Sequence, residues 1–121
     1  MYKEFYPSGK EKSVTTYEKG IREGLSLTYG EDGNLQYEIP YIKDRKEGKL
    51  KRYYANGKVM GEISYEKGLK HGMLDAYNED GTLMAKVLFN KDNAIKGYSF
   101  DHGEKPTLMT KDDLKRINET Y

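Results

Sequence analysis

The sequence predicts an all-β protein: a single-layer antiparallel meander of 24-residue β-hairpin repeats, with a short C-terminal capping α-helix. Three observations predict it. The octapeptide YEKGIREG at Tyr17–Gly24 returns as YEKGLKHG at Tyr65–Gly72, 48 residues on, with YIKDRKEG at Tyr41–Gly48 as a worn copy between them. Aromatic residues recur every 12 positions, at Phe5, Tyr17, Tyr29, Tyr41, Tyr53, Tyr65, Tyr77 and Phe89. Glycines recur every 24, at Gly9, Gly33, Gly57 and Gly81 and again at Gly24, Gly48 and Gly72.

A half-unit of 12 residues is too short for a helical repeat and suits one strand with one turn. Asp32-Gly33, Asn56-Gly57 and Asp80-Gly81 form one set of turns, because glycine tolerates positive φ and Asp or Asn bonds its own backbone nearby. Lys19-Gly20 and Lys67-Gly68 mark the alternate turns. Each unit is therefore a hairpin, and the hairpins add into one sheet.

Alternation within the strands supports this. Tyr37, Ile39 and Tyr41 point one way while Glu38 and Pro40 point the other, and Ile63 with Tyr65 and Val87 with Phe89 repeat the pattern. Odd-numbered positions are the expected core face. Residues one repeat apart lie on alternate strands, about 9.6 Å apart, so the rings form two stripes: Phe5, Tyr29, Tyr53 and Tyr77, then Tyr17, Tyr41, Tyr65 and Phe89. Gly24, Gly48 and Gly72 fall where the returning strand passes the second stripe, leaving room for a ring over the backbone.

Residues 1–109 are expected to hold about four repeats, the last degenerate, since Asp92 stands where the turn glycine should be and Lys96 where the second glycine should be. Residues 110–121 break the period. Thr110 is a candidate N-cap, Asp112 and Asp113 suit a first turn, and Leu114, Ile117 and Tyr121 share a helical face. The helix reads as the cap that a repeat array needs over its last apolar surface; a helical docking motif for a partner is the alternative.

Composition bounds the function. Leu, Ile, Val and Phe make up only 22 of 121 residues, and mean hydropathy is −0.97. Against this, 12 tyrosines can each bury a ring and keep a wet hydroxyl. A thin folded protein follows, with little room for a deep catalytic cavity. A net charge of +1 gives no global drive towards nucleic acid or anionic membrane. Without cysteine there is no disulfide framework. The start is unlike a signal peptide, so a cytoplasmic location is expected, with export or surface association as the alternative if a leader has been removed, the chain then being an architectural repeat segment of a longer exported protein.

His71 and His102 are isolated in sequence, and His71 takes a turn position held by Glu23 and Glu47 in other copies, so it is expected to be a solvated variable residue. Glu31-Asp32 and Glu79-Asp80 offer too few oxygens for calcium. No metal, cofactor or catalytic set is expected, and the protein is not expected to be an enzyme. The segment Lys43–Lys58 carries seven basic and two acidic residues, making Lys43, Arg45, Lys46, Lys49, Lys51 and Arg52 a candidate site for phospholipid or nucleic-acid phosphates. Alternation divides that charge between two faces.

The spacing Tyr-x-x-Gly-x-x-x-Gly, at Tyr17-Gly20-Gly24 and Tyr65-Gly68-Gly72, resembles the MORN repeat (membrane occupation and recognition nexus). The stretch YYANGKVMGEISYEKG, Tyr53–Gly68, resembles the bacterial variant found in YwqK-like antitoxins. This resemblance spans residues 4–97. It implies a non-catalytic scaffold that binds another protein, a toxin being one such partner; eukaryotic members are associated with acidic phospholipids, and often place in the core a tryptophan that this chain lacks. The expected contact stripe is Tyr29, Tyr53 and Tyr77, with Arg52 and Tyr54 as the adjoining polar anchor. Specificity is expected in the letters that vary at the hairpin corners: Ile21-Arg22-Glu23, Arg45-Lys46-Glu47 and Leu69-Lys70-His71.

Overall fold

The computed structural model describes residues 1–100 and 105–120. His102 and Tyr121 lie outside the described residues. Strands β1 (Tyr2–Phe5), β2 (Glu11–Glu18), β3 (Ile21–Tyr29), β4 (Leu35–Ile42), β5 (Arg45–Lys46), β6 (Gly48–Tyr53), β7 (Val59–Glu66), β8 (Leu69–Tyr77), β9 (Leu83–Asn90), β10 (Asn93–Ser99) and β11 (Thr107–Leu108) precede helix α1 (Lys111–Thr120). They form one open antiparallel sheet in which sequence neighbours are spatial neighbours, β5 pairing only with β4. This is the expected meander.

The two turn sets have distinct chemistry. At the longer turns the Asp32, Asn56 and Asp80 side chains accept from the backbone N–H two residues on, at 2.9 Å each. The shorter turns need positive φ at two successive residues, which Lys19-Gly20 and Lys67-Gly68 supply. Lys43-Asp44 and Lys91-Asp92 adopt the same conformation without glycine. The last copy is therefore not degenerate at its turn: Asp92 sits at φ 74° and its carboxylate accepts the Lys70 N–H at 2.8 Å, so β9 and β10 close a full hairpin. A short Asp side chain tolerates the left-handed region, and here its bond to the preceding repeat fixes the corner.

Odd-numbered positions are not the core face throughout. The core joins Ile63, Val87, Phe89 and Ala94, with Leu50 and Leu74 packed against it. Leu50 pairs with Ile63, Ile63 with Leu74 and Leu74 with Val87. Cross-strand partners share a face, and a two-residue turn pairs each residue with one of opposite parity. The inward face is thus even on β3, β6 and β8 and odd on β4, β7 and β9.

Burial is concentrated at one end. Among the described residues the buried apolar side chains are Tyr41, Ile63, Val87, Phe89 and Ala94, with Val87 and Phe89 each 1% exposed. Leu114, Ile117 and Met109 pack against this cluster, and Asn118 Oδ1 accepts the Ala94 N–H at 2.7 Å, tying α1 to β10. Thr110 Oγ1 accepts the Asp113 N–H at 3.1 Å while Asp113 Oδ2 accepts the Thr110 N–H at 3.0 Å, a reciprocal cap. Those bonds hold the Asp113 carboxyl below the usual carboxylate range.

Candidate interaction site

The second aromatic stripe forms one wall of the helix-bearing face. Gly24 lies opposite Tyr41, Gly48 opposite Tyr65 and Gly72 opposite Phe89, as the spacing predicted. Gly72 has φ 103°, and a Cβ there would lie 3.3 Å from Ser64 Cβ, so both backbone and space demand glycine.

Over these rings lies a ladder of cations from the preceding repeat: Arg22 over Tyr41 at 4.3 Å, Lys46 over Tyr65 at 5.1 Å and Lys70 over Phe89 at 5.5 Å. Each contact is worth about 0.5–1 kcal/mol at an exposed site. The same corners are stitched by backbone, the Arg22, Lys46 and Lys70 carbonyls accepting N–H groups of Asp44, Gly68 and Asp92. Glu23, Glu47 and His71 accept the N–H of Lys43, Lys67 and Lys91. The second and third variable letters of each corner are therefore junction residues. His71 is not merely solvated: its Nδ1 accepts at 3.4 Å where the other copies use a carboxylate. What varies in sequence is the atom that accepts, while the bond is kept.

Arg22 shows the junction best. Its Nε donates to Asp44 Oδ1 at 2.8 Å and its backbone N–H reaches the same oxygen at 3.0 Å. That pairing raises the guanidinium pKa and lowers that of the carboxyl.

The first stripe sits elsewhere. Tyr53 and Tyr77 lie on the opposite face, Tyr53 beside Glu38 and Glu62, and Tyr77 beside Asp75, Glu62 and Lys86. Burial, then those two carboxylates, pushes the Tyr53 phenol up to about 12. Tyr29 shares that face, being two residues on from Leu27, which pairs with Glu38. Arg52 and Tyr54 lie instead on the helix-bearing side, so the five residues expected to act together are divided by the sheet. Sequence parity missed this because each two-residue turn pairs odd with even positions, and at the longer turns an extra residue, Gln36, Met60 or Met84, does the same by bulging the partner strand beside Tyr29, Tyr53 and Tyr77.

Those bulges help shape a groove of about 520 Å³ on the helix-bearing face. Leu50, Ile63, Leu74 and Val87 line its centre, beside a row of small residues, Gly61, Ala76 and Ala85. Tyr65 stands on one side with Lys46 and Lys70; Tyr37, Arg52, Tyr54, Met60 and Met84 stand on the other; Met109 and Ile117 close the α1 end. An adjoining depression of about 420 Å³ shares Tyr37, Arg52, Tyr54 and Met60 and adds Tyr53 and Glu79. The Tyr54 hydroxyl donates to the Tyr77 carbonyl at 2.6 Å and fixes that wall.

The basic segment is likewise divided. Lys49 reaches Glu62 at 3.9 Å, Arg52 stacks on Tyr37 at 5.4 Å and Lys46 on Tyr65. Lys51 lies between Glu38 and Glu62 in the register, while Lys43 and Arg45 stay at an exposed turn and its edge. Among the described residues no three His, Asp or Glu side chains are grouped to hold a metal ion, and no helix is long and apolar enough to cross a membrane.

The unit that repeats in space runs from a cation to the turn beyond the ring it covers. Residues 22–43 and 46–67, two such units, each match the family described as MORN repeat variant. These two segments carry the MORN repeat pattern. Arg22 to Tyr41 falls within the first match and Lys46 to Tyr65 within the second, so each matched MORN repeat is one cation–ring unit. No curated protein matches the chain. MORN repeats are commonly interaction or binding modules and generally lack catalysis, in keeping with a scaffold.

Proposed function

We propose that the protein is a non-catalytic scaffold that binds another protein in the groove on its helix-bearing face. The observation that carries this is an apolar floor open along β6–β9, which α1 covers only at its C-terminal end. An apolar surface left uncovered beside a sheathed one invites a partner. Neutralisation of a toxin, which the resemblance to YwqK-like antitoxins implies, is one instance of such a scaffold. The reading takes the place of the stripe of Tyr29, Tyr53 and Tyr77, which lies on the far face, where carboxylates stand beside Tyr53 and Tyr77.

Pull-down from the native host tests it. Met60→Glu and Met84→Glu should each lose the bound partner while Tyr53→Ser and Tyr77→Ser retain it, all four keeping the β spectrum by circular dichroism. Retention by both methionine variants would overturn the groove. A parallel series with anionic vesicles and oligonucleotides at rising salt reads the alternative through Lys43–Lys58, which the division of that charge between faces disfavours.

A further inference from the structure

We infer that the groove takes an amphipathic α-helix of a partner protein with acidic residues along both flanks, laid across the strands and ending against α1. The inference rests on the scaffold reading and adds the chemistry of the occupant. Three observations point to it.

The first is the floor itself. Leu50, Ile63 and Leu74 offer only side-chain carbon, Val87 being already sealed at 1% exposure, and the strands beneath have spent their backbone groups on one another. An extended peptide laid there would bury N–H and C=O groups with no partner, whereas a helix satisfies its own. Strand addition needs a free sheet edge, and the groove lies in the middle of the sheet.

The second is size. From Tyr37 on β4 to Ala85 on β9 is four strand steps, about 19 Å at the usual spacing. That length matches about 13 helical residues. Across the groove, Tyr65 and Gly61 are four residues apart on one strand, about 13 Å, room for a helix roughly 10 Å wide. The helix α1 already packs on this face, so the occupant would extend an existing layer.

The third is charge. Lys46 and Lys70 stand on one rim and Arg52 on the other, while the carboxylate of Glu62, the one acidic residue of the lining, turns to the far face beside Tyr53 and Lys49. Each cation is held by a ring rather than by an acid: Tyr65, Phe89 and Tyr37. A cation–ring contact leaves the outer side of the charge open to a carboxylate, so the rims complement acidic flanks.

A display library of 16-residue peptides tests this, divided into four parts: apolar residues at helical or at alternating spacing, each flanked by Glu or by Lys. Panning on the full chain should enrich the helical part with Glu flanks. Binding of the enriched peptides should fall at least tenfold on Met84→Glu, and combined Lys46→Glu and Lys70→Glu should move the preference to the Lys-flanked helical part, with unchanged circular dichroism. Enrichment of an alternating part, equal enrichment of both flanks, no enrichment at all, or binding that survives Met84→Glu overturns the inference. Should the pull-down lose its partner with Met60→Glu and Met84→Glu while the library prefers no acidic helix, the helical occupant falls and the scaffold stands. Should both methionine variants keep the partner, both fall.

Discussion

Phe89→Ala is the most informative stability test, because its repeat-mate Tyr17 supplies an internal control. Both hold the ring position of the corner octapeptide, 72 residues apart, yet Phe89 is 1% exposed and Tyr17 43%. Phe89 lies in the core cluster with Val87 and Ala94, against which Leu114 and Ile117 of α1 pack, with Lys70 above its ring. Truncating a fully buried Phe costs about 3–5 kcal/mol in lost transfer energy and residual cavity. For a chain of this size that lowers Tm by about 10–20 °C. Tyr17 keeps an edge contact with Tyr2 at 6.3 Å and little else that water cannot replace, so Tyr17→Ala should cost no more than about 1 kcal/mol. Urea unfolding followed by circular dichroism measures both. Costs within about 1 kcal/mol of each other would refute the claim that the helix, and not the repeat position, sets the burial.

Other outcomes follow from the same geometry. Gly72→Ala forces a side chain into φ 103° and against Ser64, and should cost about 1–3 kcal/mol in the same assay, whereas Gly81→Ala meets no atom and carries only the backbone strain. Thr110→Ala removes half of the reciprocal cap and should cost about 1 kcal/mol, read as lost helicity at 222 nm. The Asp113 carboxyl is depressed in the folded state, so its contribution is present above the ordinary Asp pKa near 4 and is lost as pH falls through the folded value; acid titration of Asp113→Asn should lack that step. The Tyr53 phenol is raised to about 12, so its contribution is full below pH 10 and fades as pH approaches 12; Tyr53→Phe should remove the most alkaline component of the 295 nm titration.

Much of the fold is legible in the sequence, because period is a one-dimensional signal. Glycine at positions 24, 48 and 72 and the ring opposite each can be read from spacing alone, and the sheet pairs them. Face is harder. It depends on whether turn length and bulges preserve parity, and Gln36, Met60 and Met84 are extra residues with no mark in the period. The groove escaped sequence reasoning for that reason: its centre comes from even positions on β6 and β8 and odd ones on β7 and β9. Junction chemistry escaped for another. Glu47 and His71 look unrelated as letters, yet both accept one N–H from the next turn, and only the register reveals the shared role. Asp92 reads as a broken turn until its bond to Lys70 is seen.

The chain has five methionines, which serve as natural probes of the groove. Met60, Met84 and Met109 line it, Met73 points to the opposite face beside Leu88, and Met1 stands at the exposed terminus. With methionine methyl groups labelled with ¹³C, the partner recovered by pull-down can be titrated in and the five signals followed by NMR. A groove-bound partner shifts Met60, Met84 and Met109 and leaves Met1 and Met73 in place. Shifts confined to Met73 or Met1 would contradict the central claim.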